Sequence, residues 1–223
     1  MILTLFASLA IATPDLPHTA ETLDAGQVVV RIPTGPSAVG LADGTELWTI
    51  PFDFGIGGPR VGVEQRLLEK GSVSWTASPS AALRSTLRRG SIAAESTVSL
   101  HRGEHVFSAV VGADLRLLQR LEIDDENSKT WSVDRLQVPV TLIHDWSRNR
   151  STVRTRVNVP IRDRGQTLTY GSGSLSYLHA FGKLHTETGV GLLVGSPRDQ
   201  YMMDTYLWSF VLPYPKLDLW MVF

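Results

Sequence analysis

The sequence has no cysteine, few lysines and no apolar run long enough for a membrane-spanning helix. Without cysteine, a disulfide framework, a thiolate metal site and a cysteine nucleophile are all excluded. Charged residues make up 19% of the 223 residues, and the formal net charge is −1. A chain this close to neutrality offers no basic surface for nucleic acid, so no nucleic-acid partner is expected. No motif indicates a cofactor, and none is predicted.

The first twelve residues form an apolar run that ends in Ala10-Ile11-Ala12, the small-x-small form of a signal-peptidase site. The run is too short for a transmembrane helix, which needs about 20 apolar residues, and it lacks a basic n-region. We predict a signal peptide over residues 1–12 and a single domain over 13–223. The alternative is that the run forms a buried first strand or helix. Because no apolar run in the sequence is long enough for a transmembrane helix, any membrane-spanning segments must be strands.

Turn signals recur along the rest of the chain, and the segments between them run roughly 7 to 15 residues. This spacing is typical of an up-and-down antiparallel sheet, and no helical periodicity persists over a long window. One of the predicted turns is Pro213-Tyr214-Pro215. We predict about twelve strands, or ten if two short ones near the N-terminus merge. They lie near 27–33, 45–52, 60–68, 72–80, 91–101, 104–118, 133–144, 152–162, 167–181, 184–195, 201–212 and 216–223.

Most of these segments carry one apolar face and one polar face, because successive side chains of a strand point to opposite sides. In 104–118, Phe107 and Val111 share the apolar face, whereas Ser108 and Asp114 share the other. Alternation alone does not say which face is inside. A soluble barrel or sandwich buries the apolar face, and an outer-membrane barrel turns it toward lipid.

The kinds of charged residue on the polar face favour the second arrangement. Soluble sheets usually solvate their outer face and protect their edges with lysine, but all four lysines here are predicted in turns or at strand ends: Lys70, Lys129, Lys183 and Lys216. Mid-strand cations are arginines that alternate with Glu, Asp, Ser, Thr and Gly. Such a mixture suits a narrow lumen, where glycine makes room and arginine pairs with carboxylates of neighbouring strands. We expect a network of ion pairs there.

Aromatic residues cluster near the predicted strand ends and turns, as in the girdles of membrane barrels. They are Trp48, Phe52, Phe107, Trp131, Trp146, Phe181, Tyr201, Tyr214 and Trp220.

The last segment places Leu217, Leu219, Met221 and Phe223 on one face. An apolar-alternating final strand that ends in Phe resembles the C-terminal signal of bacterial outer-membrane proteins. The resemblance implies location in the outer membrane, contact with its lipid, and recognition by the barrel-assembly machinery during insertion. The predicted fold is therefore all-β, a closed up-and-down antiparallel transmembrane β-barrel. The side chains predicted to line its lumen are Arg60, Glu64, Arg66, Glu95, Asp114, Arg116, Arg135, Arg154, Arg156, Arg162 and Glu187.

One short motif and two histidine pairs are the candidates for catalysis. The string from His101 to His105 matches the H-x-x-E-H pattern of inverted zinc proteases, but that chemistry needs a helix. Here the string contains Arg-Gly and predicts a hairpin turn, so no metal site is expected. His144 with Asp145, and His179 with Ser176, are the other pairs that an enzyme could use.

The arginine-rich lumen is the most informative functional feature of the sequence. It predicts a structural or passive-pore role, with small anionic solutes as candidate cargo. One alternative is a lipid-modifying or proteolytic outer-membrane enzyme, which should carry a His/acid/Ser cluster at one rim. Another is a soluble exported barrel that binds a small apolar ligand. In that case Leu217, Val138 and Val157 should point inward.

Overall fold

The computed structural model describes residues 22–32, 35–50, 60–84, 89–121, 129–164, 168–197 and 210–223. The predicted signal peptide over residues 1–12 lies outside them. The described residues form strands and turns, with no helix. The strands are β1 Val28–Ile32, β2 Ser37–Ala42, β3 Thr45–Thr49, β4 Arg60–Lys70, β5 Val73–Arg84, β6 Arg89–Arg102, β7 His105–Leu121, β8 Lys129–Arg148, β9 Ser151–Arg164, β10 Leu168–Phe181, β11 Leu184–Pro197 and β12 Phe210–Val222.

Each strand pairs antiparallel with its neighbours in sequence, and β1 pairs with β12 to close the sheet into a barrel. At the closing seam Val29 lies opposite Val222, and Ile32 lies opposite Leu219. The prediction of a closed, up-and-down, all-β barrel of twelve strands is confirmed. Closure matters physically because it removes the unpaired sheet edges that an open sheet would expose.

The two ends of the barrel differ in how they connect the strands. At one end, five two-residue turns join β2 to β3, β4 to β5, β6 to β7, β8 to β9 and β10 to β11. Each turn contains a residue with positive φ, a conformation that favours Gly and Asn: Gly44, Gly71, Gly103, Asn149 and Gly182. We call this the tight-turn end, and β1 begins and β12 ends there. Longer connections join the strands at the opposite end.

Burial is inverted relative to an ordinary soluble sheet. Among inward side chains, Glu64 and Glu187 are 1% exposed, whereas the outward Val190 is 62% exposed and Leu175 is 57% exposed. Outward positions on all the longer strands carry Val, Leu, Ile or aromatic side chains. The apolar face of the alternating pattern is therefore the outer face of the barrel.

The number of strands agrees with the prediction, but two assignments are wrong. Residues Ser37–Ala42 form a strand that the sequence did not indicate, and the predicted turn at Pro213-Tyr214-Pro215 lies inside the continuous strand β12. The segment predicted as a strand at 201–212 merges with the last one from Phe210 onward, while 201–209 lie outside the described residues.

The direction of the backbone amides explains why β12 tolerates two prolines. Phe223 donates its N–H to the Val28 carbonyl on the β1 side, and Val222 donates to Lys183 on the β11 side. Odd-numbered residues of this regular strand therefore face β1. Since β1 ends at Ile32, opposite Leu219, the missing N–H groups of Pro213 and Pro215 remove no bond to it.

The closing seam can be tested with cysteines, because the chain has none of its own. Val29→Cys with Val222→Cys should form a disulfide, since directly opposed residues of antiparallel strands have Cα atoms about 4.5–5.5 Å apart. The measurement is the non-reducing gel mobility of the folded protein. Val29→Cys with Leu212→Cys is the matched control, because the second cysteine then lies roughly 30 Å farther along β12. Cross-linking of the control but not of the opposed pair would contradict the closure.

Candidate functional site in the barrel interior

The inner face collects charged side chains from nearly every strand, because they share the inward phase of the two-residue alternation. In the described part of the barrel, basic and acidic residues occur there in nearly equal number. The basic ones are Arg31, Arg60, Arg66, Arg116, Arg154, Arg156 and Lys216, and the acidic ones are Glu46, Glu64, Glu69, Glu95, Asp114, Asp145, Glu187 and Asp218.

Arg154 of β9 and Asp145 of β8 form the best-defined ion pair. They are opposite each other in register, and they are 8% and 7% exposed. The guanidinium donates two hydrogen bonds, from Nε to Oδ1 at 2.8 Å and from Nη2 to Oδ2 at 2.7 Å. This two-pronged geometry is the strongest that arginine makes with a carboxylate. The sequence prediction missed Asp145 because it ended the strand one residue earlier.

A second buried group centres on Glu187 of β11. Its Oε1 accepts a hydrogen bond from the Ser176 hydroxyl at 2.6 Å and lies 2.6 Å from the Lys216 Nζ. The placement of Lys216 corrects the prediction that all lysines lie in turns or at strand ends. Since β12 runs straight through its prolines, Lys216 is a mid-strand residue whose ammonium group is held inside the barrel.

Asp114 of β7 lies between two arginines. Its Oδ2 is 3.4 Å from the Arg116 Nε, and its Oδ1 is 3.9 Å from Arg60 Nη2. Arg60 also donates hydrogen bonds to the hydroxyls of Ser80 and Ser91. The group links β4, β5, β6 and β7, because the Asp114 carboxylate contacts one arginine of its own strand and one from β4.

Arg31, Asp218, Trp220 and His185 pack together inside the tight-turn end, where β1, β12 and β11 meet. The Arg31 guanidinium lies 4.4 Å from the Trp220 ring centroid, and its Nε is 3.3 Å from Asp218 Oδ2. The His185 ring stacks on Trp220 with centroids 5.3 Å apart. A cation held over an indole face in a dry setting contributes about 1–2 kcal/mol. These side chains occupy the lumen near its tight-turn mouth.

Large aromatic side chains fill the lumen where glycines leave room. Trp48 is 1% exposed, and its indole lies over Gly62, where a Cβ atom would come within 2.3 Å of the ring. Its Nε1 donates to the Ser78 hydroxyl at 3.0 Å. Tyr214 covers Gly191 in the same way. The predicted girdle positions of Trp48, Tyr214 and Trp220 are therefore wrong, because all three share the inward phase of their strands.

Glu46 and Glu64 form a buried carboxylate pair, directly opposite each other on β3 and β4. They are 5% and 1% exposed. Glu46 Oε2 accepts a hydrogen bond from the Leu23 backbone N–H at 2.9 Å, so the chain preceding β1 turns back toward the lumen. Two like charges placed directly opposite repel each other when both are ionised. In this respect Glu46 and Glu64 differ from the ion pairs described above, in which each carboxylate lies beside a cation.

The remaining predicted lumen residues fall into two groups. Glu95 is partly buried and its side chain lies over Gly112 of β7. Arg156 is partly buried on the inward phase of β9, and Arg66 lies at the tight-turn end in an ion pair of 2.6 Å with Glu69. The side chains of Arg135 and Arg162 lie outside the described part of the structure.

Neither histidine pair proposed from the sequence converges. His144 faces outward while Asp145 faces inward to Arg154, and His179 faces outward while Ser176 faces inward to Glu187. In each pair the residues differ by an odd number of positions, so they project from opposite sides of the wall.

Two outward histidine clusters formed across strands were not predicted. Ser151 Oγ lies 2.8 Å from His179 Nδ1 and 2.7 Å from the Tyr177 hydroxyl. His105 Nδ1 lies 3.0 Å from His144 Nε2. Strand register could have revealed both clusters. In each, one residue follows a tight turn (Ser151 or His105) and its histidine partner precedes the next tight turn (His179 or His144).

The H-x-x-E-H string forms a hairpin turn, as predicted, with Gly103 at φ +60°. His101 points inward to Ser74 Oγ at 3.2 Å, whereas His105 points outward. The two rings therefore lie on opposite sides of the wall and cannot share an ion. Across the described residues, no group of three or more His, Asp or Glu side chains is arranged to hold a metal ion.

Outward aromatic side chains line the tight-turn end: Trp75, Phe107, Trp146, Tyr177, Phe181 and Phe223. Three of the residues predicted for a girdle belong to this belt, namely Phe107, Trp146 and Phe181. Phe52 and Tyr201 lie outside the described residues, as does the side chain of Trp131.

No protein-family model matches the sequence, and no curated protein gives a significant match to it. Within the described ranges, no helix is long and apolar enough to cross a membrane.

The ion pair between Arg154 and Asp145 makes a direct stability prediction. Arg154→Ala should cost about 3–5 kcal/mol of unfolding free energy, because it leaves a buried carboxylate without its cation. The measurement is urea unfolding of the folded protein. Arg154→Ala combined with Asp145→Ala should cost less than the single change.

Arg148→Ala is the matched control, since Arg148 is exposed beside a turn and its removal should change stability by about 0.5 kcal/mol or less. Equal losses for Arg154→Ala and Arg148→Ala would contradict the assigned role of the buried pair.

Proposed function

We propose that the chain is a transmembrane β-barrel of a bacterial outer membrane. The supporting observation is the inverted burial, with ion pairs inside and a predominantly apolar surface outside. In water, an outer face made of valine, leucine and aromatic side chains would be an aggregation liability. In a bilayer the same face is solvated by acyl chains, and the closed ladder leaves few backbone groups to be satisfied there.

The dimensions of the barrel support this proposal. Strands β4 to β12 contain between 11 and 20 residues, and a tilted strand needs about 9–11 to cross the hydrocarbon core. Strands β1 to β3 contain five or six residues and adjoin segments outside the described residues. The aromatic belt at the tight-turn end matches an interfacial girdle. Since outer-membrane barrels carry short turns on the periplasmic side, we assign the tight-turn end to that side.

Within the membrane, the proposed role is structural, with at most a narrow passive pore. Trp48, Glu64 and Glu187 are each 1% exposed on the inner face, so side chains rather than an open channel fill the lumen at their levels. The near balance of the acidic and basic groups among the described residues also provides little net field for selecting anions. Transport of small anionic solutes therefore stays a prediction from the sequence.

The soluble binder and the enzyme are less well supported. An apolar ligand site inside a soluble barrel needs inward apolar side chains, but Leu217 and Val157 are 59% and 43% exposed on the outer face, and Val138 shares the outward phase of β8. For an enzyme, Ser151 and His179 are in contact, but no described carboxylate is bonded to that histidine to complete the expected His/acid/Ser cluster.

Membrane residence is tested first by extraction. The proposal expects the folded chain to require detergent and to migrate differently on a gel before and after heating. A chain that stays monomeric and folded in water without detergent would sink the proposal.

A charge placed on the outer face provides a sharper test. Val190 lies six residues into β11, roughly 20 Å along the strand from the tight-turn end, while Leu184 lies at the strand's start. In vesicles, Val190→Arg should cost about 2–4 kcal/mol of unfolding free energy and Leu184→Arg about 0–1 kcal/mol. Urea unfolding measures both. On a water-exposed surface both changes would be nearly neutral, so equal small effects would argue against a membrane environment.

The narrow lumen predicts low conductance in planar bilayers. Trp48→Ala should raise the single-channel conductance, because it removes the indole that lies over Gly62 in the lumen. Trp146→Ala is the control, since that indole is on the outer face. A large parent conductance that Trp48→Ala leaves unchanged would contradict a side-chain-filled interior.

A further inference from the structure

The outer face carries an apolar depression on β6 to β9, close to the tight-turn end. It has a volume of about 480 Å³ and is lined mainly by outward side chains. Two rows of register partners form it. The row farther from the turns is Val98, Ala109, Leu142 and Val157, and the nearer row is Leu100, Phe107, His144 and Thr155. Ala109 is the smallest member of the first row and lies between larger neighbours, so the surface dips there.

The next row toward the turns is mixed. It contains Arg102, His105, Trp146 and Val153 in register. His105 contacts His144 at 3.0 Å between ring nitrogens, and its ring stacks on the Phe107 and Trp146 rings. The apolar depression is thus bordered, at its end nearest the turns, by two imidazoles and an indole.

Exposed arginines lie in this row and on the turns next to it. Arg102 flanks the turn between β6 and β7, and Arg148 and Arg150 flank the turn between β8 and β9. Because β7 and β8 are paired, these turns are neighbours on the rim. Glu104 is the one acidic residue on them, and its Oε2 accepts a hydrogen bond from Trp146 Nε1 at 3.1 Å. The rim above the depression therefore has a net positive charge.

The other described tight turns differ. Asp43 occupies the turn between β2 and β3, and Glu69 with Lys70 precedes the turn between β4 and β5. Lys183 is the single charge on the turn between β10 and β11. A cluster of exposed arginines next to an apolar depression is thus confined, among these turns, to β6–β9.

We propose that this depression binds one phospholipid with an anionic headgroup, from the leaflet on the tight-turn side. One acyl chain lies in the depression over Ala109, and the phosphate lies at the rim beside Arg102, Arg148 and Arg150. This order of chemistry, from apolar surface through an amphipathic histidine and tryptophan layer to arginine, matches the order of groups along a phospholipid. The inference rests on the proposed membrane location and adds a specific lipid ligand to it.

The test uses the delipidated barrel in detergent, titrated with dioleoyl phosphatidylglycerol or dioleoyl phosphatidylcholine, with native mass spectrometry as the readout. The acyl chains are identical, so any preference reports the headgroup. We expect tighter binding of the anionic lipid. Since one basic residue near an anionic surface contributes about 1 kcal/mol, each of Arg102→Gln, Arg148→Gln and Arg150→Gln should weaken phosphatidylglycerol binding about fivefold and leave phosphatidylcholine binding nearly unchanged.

A second variant tests the depression itself. Ala109→Leu fills the dip and should reduce binding of both lipids. Ala113→Leu is the matched control, because Ala113 is also an outward alanine of β7 but is not among the residues that line the depression. Heat-dependent gel migration confirms that each variant is folded.

The outcomes separate this inference from the proposed function. Equal binding of the two lipids by the parent protein, or equal effects of Ala109→Leu and Ala113→Leu, overturns the lipid site while the barrel remains a membrane protein. A chain that needs no detergent overturns both. Binding at many equivalent positions, unaffected by the three arginine changes, also overturns the site, because it reports an unspecific lipid annulus.

Discussion

The two-residue alternation of a closed barrel, which register shifts interrupt at only a few points, governs the rest of this structure. A side chain on any strand must point either into the lumen or away from it, and closure leaves no edge at which that choice can be avoided. Once Glu64, Asp114 and Glu187 point inward, their strand neighbours two positions away point inward as well. The wall therefore sorts the sequence into a polar interior and an apolar exterior, and every local feature must fit one of the two.

A polar interior creates an energetic problem that the ion pairs offset. Removing charges from water costs several kcal/mol per ion unless partners replace the lost hydration. Arg154 with Asp145, and Lys216 with Glu187, supply such partners across neighbouring strands. Each pair also links two strands through their side chains, in addition to the backbone ladder. Glu46 opposite Glu64 is the exception, since that position brings two carboxylates together.

Alternation, strand count and the chemistry of the polar face could all be predicted because they depend on residues close together in sequence. The errors arose where a distant residue decides the structure. The sequence indicated a turn at Pro213. However, the cost of a proline at that position depends on whether β1 reaches that far along β12, because the missing N–H would face β1. The same predicted turn placed Lys216 at a strand end, whereas it lies in the middle of β12. Trp48 shares a phase with Glu46, so strand parity alone could have placed it inside, but its aromatic character suggested a girdle.

Contacts between side chains of different strands depend on the register of those strands, which local sequence does not encode. His105 and His144 meet because the turns after β6 and β8 end at the same level of the barrel, although 39 residues separate them. The same alignment brings Arg102, Arg148 and Arg150 to one stretch of rim. Among the described residues, side chains fill the lumen at several levels and the charges there are nearly balanced, whereas these histidine and arginine clusters are exposed on the outer surface. There the wall away from the rim is mostly apolar, so a ligand that contacts both must itself be amphipathic. In the membrane location proposed above, such a ligand would approach within the bilayer.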